Sequence, residues 1–533
     1  YAAQQLEKLN QDGYLSLVDA FNHAIAEFAE QPAFTCLGQT LNYADMDRLS
    51  SQFGCFLLEH CGLQHGDRIA IQLPNISQYP IAVWAALRAG LTVVNTNPLY
   101  TAREQLHQFN DSGARALVVL SDLLPVTEQV VSETAIQTVI VTHAADLLQP
   151  QAVPHSSLDN LIGFTDALAL GADKVLPDST ATMSDIAVLQ YTGGTTGPSK
   201  GAILSHGNVY AGMRMSKISI GLSASDDFDL LIAPMPLYHV FGFTMNLVGG
   251  FVNGSHSVLI PNPRDIDSMV AVMKQHQFTA MAGINTLLQG LMRHPQFDEI
   301  DFSRVKGIIA GGAALVKEIS DEWESRTGSR IFEGYGPTTP AMLRLRAEGI
   351  SLVITVDCGT TAFEPREAAA EAGLDLVVVD HHVAEPSLPR AVSVVNPNRL
   401  DDTSGLGALA AVGVSFLFAI ATNRVLRESG WYQKEGRKEP NLLALLDLVA
   451  LGTVCDVVPL VGLNRAFVSQ GLKVMGRRNN PGLVALADVA RVDSKLSEYH
   501  AGFLLGPRVN AGGRVGEAPM GARLLMTQDS AEA

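Results

Sequence analysis

Short apolar runs along the chain end repeatedly on residues that carry chemistry. Residues 185–189 (DIAVL) form one such run, which predicts a strand feeding a stretch of Gly, Thr and Ser from Tyr191 to Gly201. Residues 352–356 (LVITV) are rich in β-branched side chains and predict a strand that stops at Asp357. Residues 364–372 read as a helix with Gly373 as its stop signal, and 376–379 (LVVV) read as a second strand ending on Asp380-His381-His382. This order predicts a right-handed β-α-β unit whose parallel strands bring Asp357 and Asp380 side by side at their carboxyl ends. Residues 405–422 (GLGALAAVGVSFLFAIAT) carry no charge and approach the length of a membrane span. They are rich in Gly and Ala, poor in Leu and Ile, and lack a flanking basic cluster. A helix buried in a soluble core is therefore expected, with no stable membrane span.

A length of 533 residues predicts three to four domains, and 47% hydrophobic against 17% charged residues excludes wholesale disorder. The five cysteines (Cys36, Cys55, Cys61, Cys358, Cys455) are odd in number and unclustered, which suits a reducing, cytoplasmic protein better than a disulfide scaffold. The chain begins at Tyr1 with no basic-then-apolar leader, and a lost or processed start is expected. Of the net charge of −17, −15 falls in residues 1–336 and −2 in residues 337–533. An acidic first segment repels polyanions and is a poor nucleic-acid binder, whereas the second carries no such handicap. The shift predicts a seam.

In Thr192-Gly193-Gly194-Thr195-Thr196-Gly197-Pro198-Ser199-Lys200, three glycines allow close backbone approach to a ligand, four hydroxyls offer donors, and Lys200 adds a mobile cation. Such a loop can cradle a polyphosphate, although the spacing of a Walker A loop is absent. A flexible linker would not sit between two apolar runs.

This loop resembles the phosphate-binding motif of the adenylate-forming superfamily. Leu73-Pro74-Asn75, residues 94–101 (VNTNPLYT), residues 236–242 (PLYHVFG), residues 283–287 (GINTL), Ala310-Gly311-Gly312-Ala313 and Glu333-Gly334-Tyr335-Gly336 follow in the order found in AMP-forming long-chain fatty acid–CoA ligases. The resemblance covers residues 1–336. It implies that ATP and a fatty acid form an acyl-adenylate, that CoA then displaces AMP, and that Mg²⁺ assists. The loop from Thr192 to Lys200 would hold the β- and γ-phosphates. Gly311, Gly312 and Tyr335 would hold adenine, Ala313, Gly336 and Thr338 would also be cofactor-binding, and His239 would lie near the carboxylate. Phe241, Phe243 and Met245 fit an acyl tunnel or plain core. The family pattern continues with Thr-Glu, the Glu helping to bind magnesium. Here Thr338 matches the Thr, but Thr339 stands in place of the Glu and the later ligase motifs are absent. A truncated ligase large domain is expected, with an exposed apolar edge.

Residues 337–533 resemble RecJ-type single-strand-specific exonucleases of the DHH phosphoesterase superfamily. The match rests on residues 356–361 (VDCGTT), Asp380-His381-His382, Asn396-Pro397-Asn398, residues 451–460 (LGTVCDVVPL) and residues 506–514 (GPRVNAGGR). The resemblance implies a doubly wound parallel sheet, a Mn²⁺ or Mg²⁺ site formed by Asp357, Asp380, His381, His382 and Asp456, and Arg508 and Arg514 gripping the phosphate of single-stranded DNA. The family's Asp-x-Asp-x-Asp-Gly motif is absent from residues 1–336, and its later nucleic-acid-binding domain is expected to be missing. Both families share Glu-Gly-Tyr-Gly, so a chimera joined at residues 333–336 and impaired in both reactions is the leading expectation. A working nuclease with a nucleotide-binding module, or a non-catalytic nucleotide- or metal-binding protein, stands as the alternative.

Overall fold

The computed structural model describes residues 13–192, 199–220, 229–311, 317–333, 339–360, 362–384, 386–456, 458–490, 492, 496–506, 508–509 and 520–533. It divides into two compact units, residues 1–334 and 335–533.

Short apolar segments build the first unit. Its strands are β1 (Pro32–Cys36), β2 (Gln39–Asn42), β3 (Arg68–Gln72), β4 (Thr92–Asn95), β5 (Ala116–Leu120), β6 (Thr138–Thr142) and β7 (Leu161–Gly163). They continue with β8 (Ile186–Thr192), β9 (Lys200–Ser205), β10 (Leu230–Ala233), β11 (His256–Leu259), β12 (Ala280–Gly283), β13 (Gly307–Ala310) and β14 (Ile331–Glu333). Among the described residues these make two sheets, ordered β7-β6-β5-β3-β4-β8-β9 and β14-β13-β12-β10-β11-β1-β2. Pairing is parallel except where β9 returns along β8 and β2 along β1. β3 to β6 are buried at nearly every position, as parallel strands covered on both faces must be. Trp84, Phe21 and Phe251 knit the core, the last two stacked with centroids 5.0 Å apart.

The second unit starts as the sequence predicts. β15 (Leu352–Val356), the helix Phe363–Glu371 and β16 (Asp375–Val379) form a β-α-β unit with parallel strands, and Gly373 takes the left-handed conformation after the helix. β17 (Ser393–Val395) adds a third parallel strand beyond β16. The doubly wound pattern is not reached, because the three described strands follow in sequence order with no reversal. Helices follow instead, among them Ala411–Glu428, Leu446–Cys455, Gly462–Met475 and Pro481–Val489. β15 is an edge strand, and its Leu352, Ile354 and Val356 are exposed.

The apolar stretch 405–422 departs from expectation. Its helix starts only at Ala411, and the helix buries Ala411, Gly413, Val414 and Phe416 while Ile420 faces solvent. The backbone before it is claimed by distant side chains. Asn398 donates to the Gly407 carbonyl, Asn464 donates to Ala408 and accepts from Ala410 N–H, and His381 bonds the Leu409 carbonyl. These contacts hold residues 407–410 out of the helix. No helix among the described residues is long and apolar enough to cross a membrane.

Candidate functional site

The Gly/Thr-rich loop springs from the hairpin of β8 and β9, where Thr192 pairs with Lys200. Gly193, Gly194, Thr195, Thr196 and Gly197 lie outside the described residues, as do Gly312, Ala313, Tyr335, Gly336, Thr338 and Arg514. The rims of the loop are described. Lys200 is exposed at the start of β9, and His107 bonds the Ser199 carbonyl through Nε2 at 2.8 Å. Below it the Tyr191 hydroxyl donates to Asp111 at 2.6 Å. Burial first, and then that carboxylate, push the Tyr191 pKa above the usual phenol value.

His239 sits in the turn after β10 and caps the short helix Val240–Gly242, its Nδ1 accepting from Phe241 N–H at 3.3 Å. Desolvation by its surroundings lowers the imidazole pKa. A buried polar chain fixes this turn. The Asn75 amide, after β3, donates to the Ala233 and Met235 carbonyls at 2.9 Å each and accepts from Leu237 N–H at 2.8 Å. Tyr79 donates to Asn95 and to the Leu237 carbonyl, Asn95 donates to Gln190, and Gln190 donates to the Tyr238 carbonyl at 3.0 Å. The carboxyl ends of β3, β4, β8 and β10 are thereby bolted together, tying the His239 turn to the base of the loop. Gly311, past the end of β13, approaches Phe241, whose ring lies 3.5 Å from where a glycine Cβ would stand. Phe243 is core, Met245 is half-buried, and both belong to the π-helical segment Phe243–Gly250.

In the second unit the register of β15 and β16 sets Asp357 and Asp380 just past their ends. Asp357 takes a left-handed φ of 59°. Asp357, His381 and His382 offer ligand atoms that all lie within 4.8 Å of one another. His381 Nε2 is 3.3 Å from Asp357 and 3.6 Å from Asp456. Its Nδ1 faces the Leu409 carbonyl, and His382 Nδ1 faces Asp380 at 2.7 Å, so Nε2 is the atom each ring has left for a metal. Asp380 stands behind the group of three. Burial opposes its charge, but hydrogen bonds from His382, Thr360 and His381 outweigh that and hold its pKa at about 2. His381 is raised to about 9, chiefly by its hydrogen bond to Asp357, against burial and with help from Asp456. Burial raises the Asp456 pKa, with Asp357 adding to it and His381 opposing. Carboxylate and imidazole donors this close together could hold a divalent cation. Arg508 is exposed, its Nη1 donating to the Leu504 carbonyl at 2.7 Å.

The model of the family described as AMP-binding enzyme matches residues 21–393. The chain belongs to that family. AMP-binding enzymes of known structure share its fold. A crystal structure of the anthranilate CoA ligase AuaEII with anthranoyl-AMP covers 60% of this chain and 59% of its own, with a TM-score of 0.53 and 18% identity. The long-chain-fatty-acid–CoA ligase of Salmonella typhimurium is 38% identical over 357 residues, which is 64% of this chain and 64% of the relative. The chain thus spans under two thirds of the curated AMP-binding ligases it matches. A different relative, the single-stranded-DNA-specific exonuclease RecJ of Dickeya dadantii, is 42% identical over 207 residues, 38% of this chain and 36% of the relative.

In the sequence of this AMP-binding family member, Asn75 and Asn95 lie in quoted motifs without an evident role, whereas Tyr79 and Gln190 lie in none. A polar residue ending an apolar strand, as Gln190 does after 185–189, is the signal that points to such a bolt. Asn396 and Asn398 act similarly. The first donates to Thr360 and the His382 carbonyl, the second to the His381 carbonyl, and together they fix the His-His backbone.

Proposed function

We propose that residues 1–334 bind ATP and a long-chain fatty acid as the large domain of an AMP-forming acyl-CoA ligase does. In this reading a carboxylate oxygen attacks the α-phosphorus and pyrophosphate leaves. The CoA thiol then attacks the acyl carbonyl and AMP leaves. The loop from Thr192 to Lys200 holds the phosphates, where backbone N–H groups, hydroxyls and the Lys200 ammonium stabilise developing charge. Within the first unit Gly311, Gly312 and Ala313 would serve the adenine side, and His239 orients the carboxylate. The observation that supports this most is the buried Asn75–Tyr79–Asn95–Gln190 chain, which fastens the His239 turn to the base of the phosphate loop. Mg²⁺ would neutralise phosphate charge, but Thr339 offers a hydroxyl where the ligases have a carboxylate, a weaker ligand for a hard cation. Adenylation is therefore slow while nucleotide binding persists. Equilibrium dialysis with ATP, together with fatty-acid-dependent exchange of pyrophosphate into ATP, tests this. Binding with exchange near the detection limit is expected, and exchange should rise in Thr339→Glu. Absence of ATP binding refutes the reading.

The Asp357–His381–His382 cluster favours a second reading for residues 335–533, that of a RecJ-like DHH core joined to the ligase segment at 333–336. Asp357, His381 and His382 would hold a divalent ion, which would supply an activated water for phosphodiester hydrolysis. Asp456 and Asp380 complete or orient its ligands, and Arg508 and Arg514 grip the phosphate of single-stranded DNA. The carboxylates of the Asp-x-Asp-x-Asp-Gly motif are absent from residues 1–336, so hydrolysis is slow. Both readings suit the cytoplasm, where ATP, CoA and reduced thiols coexist, and all five cysteines are free. Mn²⁺-dependent nucleotide release from single-stranded DNA, weak and abolished by His382→Ala, is the expected result. Release that is unaffected by His382→Ala contradicts it.

A further inference from the structure

Arg366 lies in the helix Phe363–Glu371, whose sequence FEPREAAAE reads as solvent-facing. The side chain is nevertheless only 1% exposed, and none of its three guanidinium nitrogens has a hydrogen-bond partner among the described residues. It lies beneath the turn after β15. Nη2 is 2.5 Å from where a Cβ on Gly359 would stand, and Thr355 Oγ1, also buried and unpartnered, is 3.0 Å from the same point. Gly359, at a φ of 104°, is what makes room for the guanidinium. The same turn carries Asp357 on one side and, through Thr360 N–H, bonds Asp380 on the other at 2.9 Å. The Arg366 charge is therefore packed against the turn that bears Asp357 and bonds Asp380, with no carboxylate paired to it among the described residues.

Burial lowers the Arg366 pKa to about 10, with Asp380 and then Cys358 opposing that fall, so the group is still a cation at neutral pH. A buried guanidinium without a hydrogen-bonded partner is costly, and an apolar side chain of similar volume removes that cost. Its field also acts on whatever shares the low-dielectric region, and a divalent cation is repelled twice as strongly as a proton.

We propose that Arg366 is a built-in counter-cation of the Asp357–Asp380–His381–His382 cluster, one that offsets the cluster's negative charge and holds its affinity for divalent metal below what its donors would give. The proposal rests on reading the cluster as a divalent-metal site, and the experiment separates the two ideas. Mn²⁺ is titrated by calorimetry into the full chain, Arg366→Met and Arg366→Lys, with thermal unfolding recorded for each. Arg366→Met is expected to bind Mn²⁺ about tenfold tighter or more and to melt at a higher temperature, while Arg366→Lys, which keeps the charge, binds as the parent does. If Arg366→Met melts higher but its Mn²⁺ affinity equals the parent's, the arginine is only structural and the proposal is overturned while the metal site stands. If no form binds Mn²⁺, the metal reading falls and takes the proposal with it. Should Arg366→Met lose its circular dichroism signature, Arg366→Gln replaces it and the same comparison decides.

Discussion

Replacing Asn75 by alanine tests whether one amide couples the two sheets of the first unit. Asn75 is 3% exposed and carries three hydrogen bonds, two to the Ala233 and Met235 carbonyls and one from Leu237 N–H. The Ala233 carbonyl keeps a second donor, Ile260 N–H, so its loss is small. Leu237 N–H and the Met235 carbonyl lose a buried partner, at about 1–3 kcal/mol each. With the cavity left by the amide, the total comes to about 3–5 kcal/mol. Asn75→Asp is the control. It can still accept from Leu237 N–H, but it sets a carboxylate against two carbonyl oxygens and so should lose as much. Urea unfolding followed by tryptophan fluorescence reports mainly on this unit, since two of the three tryptophans, Trp84 and Trp323, are buried within it. At an m-value of about 3 kcal/mol per M, the Asn75→Ala midpoint falls by roughly 1–1.7 M. ATP binding should weaken with it, because the His239 turn loses its anchor. A midpoint within about 0.3 M of the parent refutes the idea that this amide couples the sheets.

Acid should weaken the first unit through two buried histidines. His206 accepts from Leu17 N–H and His256 bonds Thr35, and burial lowers both pKa values to about 4. Because the folded pKa lies below that of the unfolded chain, the unfolded state takes up protons first. Stability present at neutral pH is then lost as pH falls from about 6.5 toward 4. Between pH 7.5 and 5 the loss is about 2 kcal/mol per histidine, read as a falling urea midpoint, and a midpoint independent of pH over that range rules it out. Gly171→Ala should cost at least about 2 kcal/mol, because the new Cβ would stand 1.9 Å from the Gln52 carbonyl oxygen, and a thermal scan at unchanged stability disproves that close approach. Asp380→Asn should weaken Mn²⁺ binding about 10- to 100-fold by releasing His382 from its orienting partner, as measured by calorimetry, and unchanged affinity removes Asp380 from the site.

The β-α-β unit of the second half was legible because β-branched runs, a glycine stop and terminal aspartates all act locally. β15 and β16 accordingly start and end within a residue of expectation. What depends on distant partners was not legible. β1 pairs with β11 across more than 200 residues of chain, and no local pattern announces that pairing. The stretch 405–422 reads as one apolar helix, yet its first residues are held by Asn398, Asn464 and His381, side chains that only the fold brings near. The candidate sites divide the same way. His239, Lys200, Asp357 and the His-His pair stand out by motif, whereas the polar bolt of Tyr79 and Gln190 and the burial of Arg366 depend on packing.

An acyl-sulfamoyl adenosine with a long acyl chain mimics the acyl-adenylate without needing magnesium or catalysis. Hydrogen–deuterium exchange of the full chain with and without this compound therefore tests most directly whether the first unit is an adenylate-binding body. Saturable protection confined to the segments around residues 191–200, 236–243 and 307–311, with residues 340–533 unchanged, is the predicted result. Protection centred on the Asp/His cluster of the second unit, or none anywhere, would contradict the account.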